Sequence, residues 1–239
     1  MGTRLQRLVF GGIWLFWGVV CLNSGYTQAF VEVQRVVAGF PVPVQDMVRA
    51  GFWLVSQAGN TALLVPVLVW TCVPNRRVLN SLLLVWLACG VLTQVLKHTF
   101  FSGWPRPGVL FAHEPWFYMH AVEKALAHSM PSGHALAYAA LAGTAVLTGR
   151  VQGVHGWLLG GLGLAVGVSR VVLGVHYPAD VWVGWTLGVG LAVGIGVFPQ
   201  HRFHAVLSRI PGVILRIALL LVFVVACVSL ISRYFAVAG

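Results

Sequence analysis

His176 and Asp180 stand four residues apart, a spacing that brings carboxylate to imidazole where the chain is helical or tightly turned. Such a carboxylate fixes the tautomer of the ring and stabilises its imidazolium, which leaves the other nitrogen free to attack phosphorus. Ser169-Arg170 precedes this pair, and two more polar clusters lie upstream: Lys97 followed by Trp104-Pro105-Arg106-Pro107, and Pro131-Ser132-Gly133-His134. Lys97, Arg106 and Arg170 supply three fixed cations, and His134 adds a second imidazole. That complement suits phosphoryl transfer without a metal. The two arginines can hold phosphate oxygens bidentately and Lys97 can act as a point charge, so all three oppose the charge that develops on the equatorial oxygens. The Pro-Ser-Gly-His run falls where a helix should begin, and the backbone N–H groups of Ser132, Gly133 and His134 are expected to face the anion, with glycine permitting close approach. His134 is then placed to protonate the departing oxygen as general acid.

The elements that must position these groups are membrane helices. Of the 239 residues 59% are hydrophobic and 8% charged, a composition outside the soluble range. With about 20 apolar residues needed per crossing, seven spans are predicted, roughly at 8–25, 53–73, 78–96, 131–149, 153–169, 181–199 and 212–232. The apolar runs do not alternate with period 2, which excludes a lipid-facing β-barrel. The expected fold is therefore all-α, a single polytopic helical bundle over residues 1–239 with its motif-bearing core at about 97–180. Between the first two spans, Val33, Val36, Val37 and Phe40 at helical spacing predict a short interfacial helix that Pro41 and Pro43 interrupt.

Sidedness lets the three clusters meet. The first two share one loop, and the third follows two further crossings, which returns the chain to the same face. With the N-terminus cytoplasmic, the inner segments hold eight basic residues (Arg4, Arg7, Arg76, Arg77, Arg150, Arg202, Arg209, Arg216), against four outside once the three site cations are set apart. All five acidic residues fall outside. The site is thus expected on the non-cytoplasmic face, and the whole suits a bacterial inner membrane. The net charge of +10 reflects this asymmetry, and no nucleic-acid partner or obligate protein partner is expected. A cleaved signal peptide is a competing reading of the first span, and its loss would leave the downstream sidedness unchanged.

The clusters resemble the motifs of the type 2 phosphatidic acid phosphatase family, which read K-x6-RP, PSGH and SR-x5-H-x3-D. Pro131 to His134 match the second, and Ser169-Arg170, His176 and Asp180 match the third. The first departs, because eight residues rather than six separate Lys97 from Arg106. The resemblance implies a six-helix core, a site at the outer surface, a phosphohistidine intermediate and no metal or other cofactor. It implies a lipid phosphate substrate drawn from phosphatidic acid, phosphatidylglycerol phosphate, undecaprenyl diphosphate or a lipid A phosphate, among which these residues do not discriminate.

Other readings compete. A lipid phosphotransferase would use the same histidine, with a second lipid in place of water. An anion or lipid transporter would use the cations as a binding site, but transporters gather polar groups near mid-membrane on broken helices and often carry inverted repeats, neither of which is visible. His98, His113, His120 and His128 share the outer loop with Glu114 and Glu123 without metal-ligand spacing. Trp104, Trp116, Phe117 and Tyr118 form either a lip for the lipid chain or an ordinary aromatic belt. The four cysteines lie within apolar spans and read as small core residues.

Overall fold

The computed structural model describes residues 25–61, 76–119, 128–149 and 151–197, with scattered positions between 12 and 19, at 63, and between 213 and 231. Among the described residues run seven helices and no strand: α1 Gly25–Ala38, α2 Val42–Gln57, α3 Arg76–His98, α4 Pro107–Phe111, α5 Gly133–Leu147, α6 Val154–Val172 and α7 Pro178–Val197. Segments Leu79–His98, Val154–Val172 and Pro178–Ile195 are long and apolar enough to cross a bilayer, and Gly133–Leu147 is a shorter apolar helix. These four match the predicted spans at 78–96, 153–169, 181–199 and 131–149. The protein is an all-α integral membrane protein. The predicted spans at 8–25 and 212–232 lie, apart from isolated helical positions, outside the described residues, so a count of seven crossings rests on the sequence. The predicted 53–73 span begins inside α2, which ends at Gln57; residues 64–73 are outside the described set.

Helix α5 is central. It packs along α7 most extensively, and also against α3 and α6. Small residues let the α5 and α7 backbones approach: a Cβ at Gly188 would run into the carbonyl of Leu136, and one at Gly143 would sit 2.9 Å from the Cβ of Ala192. Between α3 and α5, Leu79, Leu82, Val85, Leu136 and Leu141 form one buried cluster.

The predicted short helix between the first two spans exists as α1, and of the four apolar residues that marked it only Val37 is buried. Phe30, Gln34 and Val37 are buried, whereas Val36 and Phe40 are exposed. Gln34 Nε2 donates to the carbonyls of Val171 and Val172 at 2.8 and 3.0 Å, which satisfies the end of α6. A polar side chain thus occupies the centre of the buried face, and a search for apolar periodicity passes over it. Phe30 packs with Phe111 (centroids 5.6 Å apart), Phe117 (6.2 Å) and Tyr177 (5.4 Å), pinning the segment after α4 to the turn before α7.

Candidate active site

Four helix ends meet at one end of the bundle: the C-termini of α3 and α6 and the N-termini of α5 and α7. Backbone motifs there explain the spacings found in the sequence. At the end of α6, Gly174 takes φ +72°, the left-handed conformation that glycine adopts most easily. The N–H of Val175 bonds the carbonyl of Arg170 and that of Gly174 the carbonyl of Val171, the pair of bonds that closes a Schellman turn. This turn folds the chain back, so that His176 N also reaches Arg170 O at 3.2 Å. The five residues between Arg170 and His176 are this reversal.

Of the three residues between His176 and Asp180, Tyr177 caps α7 and Pro178 and Ala179 begin it. Pro178 opens the helix, where its missing N–H costs nothing. Asp180, two residues on, reaches back to accept the Tyr177 N–H at 2.9 Å, half of a capping box. The same oxygen, Oδ2, lies 3.2 Å from His176 Nδ1. Nδ1 therefore carries the proton toward the carboxylate, and Nε2 is left with its lone pair. Both side chains are almost wholly buried, at 2% and 0% exposure. Burial, followed by the charges of Arg106, Arg170, Lys97 and His134, holds the His176 imidazole well below its usual pKa. It is a neutral base at neutral pH.

The cations surround this pair. Arg170 is 1% exposed, and its Nη1 donates to the hydroxyl of Ser56 on α2. Arg106 stands between two prolines in extended backbone (ψ 159°) before α4, and its Nη1 lies 3.4 Å from Val175 O. Lys97 occupies the last turn of α3. Its longer separation from Arg106 is taken up by tight turns in which Phe101 N bonds Leu96 O and Trp104 N bonds Phe101 O, and its charge still acts on His176. His134, half-buried in the first turn of α5, packs beside Gly59, where an added Cβ would lie 3.0 Å from its own Cβ. All eight residues singled out in the sequence thus gather at one place.

One expectation fails. The Ser132 N–H does not face an anion, because it is donated to the backbone carbonyl of Asp180 at 3.0 Å. This bond ties the start of α5 to the start of α7, where Gly184 leaves room for Ser132 O. What Ser132 offers is its hydroxyl, buried without a hydrogen-bond partner among the described residues, at the N-cap of α5. First-turn N–H groups such as that of Gly133 have no carbonyl one turn back to bond.

Two serines were not foreseen. Ser56 holds Arg170, and Ser129 donates its hydroxyl to Asp180 Oδ2 at 2.5 Å. The aromatic residues proposed as a lip are largely committed inward: Trp116 and Phe117 pack on the Phe30 cluster, and Tyr118 lies under the Arg49 guanidinium at 3.9 Å. A separate groove of about 370 Å³, lined by Leu141, Ala145, Leu158 and neighbouring side chains, lies between the other ends of α5 and α6 and takes no part in this site. Among the described residues no three histidine, cysteine or acidic side chains group as metal ligands.

Known proteins show the same architecture. The solved structure of Aquifex aeolicus LpxE aligns over 70% of this chain and 94% of its own, with a TM-score of 0.56 and 24% identity. A transmembrane PAP2 type phosphatidylglycerolphosphate phosphatase from Bacillus subtilis aligns over 81% of this chain and 96% of its own, with a TM-score of 0.55 and 20% identity. At such identities the likeness is one of fold. An undecaprenyl-diphosphatase from Sulfolobus acidocaldarius is 45% identical over 62 residues, a stretch spanning 26% of this chain and 29% of that protein. The profile of the PAP2 superfamily matches residues 78–204, which run from α3 past the end of α7 and include every residue of the cluster. With more than half its length matched, the chain belongs to the PAP2 superfamily.

Proposed function

We propose that this protein is a membrane phosphatase that hydrolyses a lipid phosphate or diphosphate through a phosphohistidine at His176, without a metal. The observation that carries the reading is the buried His176–Asp180 pair set among Lys97, Arg106 and Arg170 at one end of the bundle. Names of similar proteins, among them the undecaprenyl-diphosphatase and the phosphatidylglycerolphosphate phosphatase, support a phosphorylated lipid as substrate.

The three cations and the Ser132 hydroxyl bind the phosphoryl oxygens, with Gly133 allowing close approach at the α5 N-terminus. His176 Nε2 donates its lone pair to phosphorus as the bond to the lipid oxygen breaks, and His134 supplies the proton that this oxygen takes up. Asp180 balances the charge that the imidazole gains. Water then attacks phosphorus, giving its proton to His134, and the N–P bond electrons return to His176. The products are inorganic phosphate and the lipid carrying one phosphate fewer.

The positive-inside distribution supports a site on the outer face of a bacterial inner membrane. A His113→Cys variant, placed on the exposed segment after α4, should then react with an impermeant thiol reagent in intact cells. The deciding assay is phosphate release by the purified protein in detergent with EDTA, from phosphatidic acid, phosphatidylglycerol phosphate, undecaprenyl diphosphate and lipid A. Release that persists in EDTA and disappears in His176→Ala is expected. Phosphate transferred to a second lipid, with none released, would make the enzyme a phosphotransferase; activity kept by His176→Ala would remove the histidine from the mechanism.

A further inference from the structure

Ser129, three residues before the Ser132 N-cap, is fully buried. Its hydroxyl donates to Asp180 Oδ2 and its oxygen lies 3.5 Å from His176 Nδ1. Its backbone N–H donates to the carbonyl of Trp104 at 2.9 Å, two residues before Arg106. One residue therefore touches both members of the dyad and the strand of chain that carries a phosphate-binding arginine.

The distribution of hydrogen bonds on Asp180 makes this contact consequential. All three donors, Tyr177 N–H, Ser129 O–H and His176 Nδ1–H, converge on Oδ2, while Oδ1 is buried with no hydrogen-bond partner among the described residues. The rotation of the carboxylate is thus set through one oxygen alone. Without the serine hydroxyl only the helix-capping N–H and the imidazole itself would remain to hold Oδ2.

We infer that Ser129 is a positioning residue of the His176–Asp180 pair, its hydroxyl holding the carboxylate in line with Nδ1 while its main chain sets the Arg106 segment in register with the nucleophile. The inference rests on the reading of His176 as nucleophile. It also has an electronic side. A carboxylate turned out of line no longer stabilises positive charge on the ring, so loss of the hydroxyl disfavours the imidazolium. The other groups that face His176, namely Lys97, Arg106, Arg170 and His134, are unaltered by that change.

The test is steady-state phosphate release by the full-length protein in detergent, with phosphatidic acid and undecaprenyl diphosphate as probes, for wild type, Ser129→Ala, Ser129→Thr and Ser129→Cys. In Ser129→Ala the main-chain N–H remains, so KM should stay within about threefold. kcat should fall on the order of tenfold to a hundredfold, by analogy with the loss of hydrogen-bond partners that orient metal-bound histidines. The acid limb of the rate profile should move to lower pH, since the imidazolium loses the carboxylate that faces it. Threonine, which keeps the hydroxyl, should recover most of the rate, and cysteine, a weaker donor, should fall between. A kcat within twofold of wild type in Ser129→Ala overturns the inference. So does a loss that tracks the folded fraction with an unmoved pH profile, the behaviour of a serine that only packs. Should Ser129→Ala not fold, a wild-type kcat and pH profile in Ser129→Cys has the same force. An active His176→Ala alongside would instead show that the nucleophile is misassigned, a failure separate from that of Ser129.

Discussion

Arg170 Nη1 donates to the hydroxyl of Ser56, joining the last turn of α6 to the last turn of α2 across 114 residues of sequence. Both side chains are buried, so this bond fixes which way the guanidinium fork presents its remaining donors. A hydrogen bond to a charged group contributes about 1.5–3 kcal/mol. Ser56→Ala should therefore weaken phosphate binding by about tenfold or more, read as a raised Ki for inorganic phosphate or vanadate, with the helical content unchanged. An unaltered Ki would mean that the arginine is held by its other contacts alone.

Gly174 admits no side chain. Its φ of +72° is left-handed, and a Cβ there would run into the main-chain carbonyl oxygen of Tyr118. The conformation costs an L-residue about 1–2 kcal/mol before any collision is counted. Gly174→Ala should displace the turn carrying His176, lower activity more than tenfold and reduce the melting temperature in detergent. Because the obstacle is backbone, adding Tyr118→Ala should restore neither; recovery in the double variant would place the conflict in the ring.

Gly188 meets α5 just as closely, with Ala139 Cβ 2.8 Å and Ala140 N 3.0 Å from the position of an added Cβ. Helices in lipid gain little from apolar burial and depend on such close packing. Gly188→Val should separate α5 from α7, costing about 1–3 kcal/mol as overpacking and moving Ser132 and His134 away from His176 and Asp180. Thermal unfolding in detergent and phosphate release should fall together. A stable but inactive variant would show that the site feels the shift before the fold does.

The helices α3, α5, α6 and α7 were legible because a bilayer demands long apolar runs, and the cluster was legible because charged residues at helix ends in such a chain need a reason. Ser56, Ser129 and Gln34 were not. Their partners lie 114, 51 and 137 residues away, and an uncharged polar residue leaves no trace in hydropathy or periodicity. Which face of α1 turns inward was not legible for a related reason: in lipid, outward faces are apolar as well, so Val36 and Phe40 carry the same signature as Phe30. The direction of the Ser132 N–H depended on where α7 begins relative to α5, a tertiary relation invisible in the run Pro-Ser-Gly-His. The longer interval between Lys97 and Arg106 changed less than its length suggested, since the added residues are absorbed in tight turns.

The titration of His176 gives a prediction with a definite sign. In the unfolded chain the imidazole takes its proton near 6.5; in the fold, burial and then Arg106, Arg170, Lys97 and His134 push that event well below it. Between the two values the unfolded state binds more protons, so stability rises with pH through the window. It is fully present above about 6.5 and lost as pH falls toward the folded value. The melting temperature in detergent should accordingly drop on acidification below that point, and His176→Asn, which does not titrate, should flatten the drop. As the proposed nucleophile, His176 should stay neutral through the same window, which would keep phosphoenzyme formation measurable at pH values where an exposed histidine is already protonated. Removing one of the surrounding cations, as in Arg106→Gln, should bring the titration of His176 back toward its ordinary value and shift the acid limb of phosphoenzyme formation upward. An acid limb that stays in place in Arg106→Gln would assign that limb to another group, with His134 the first to examine.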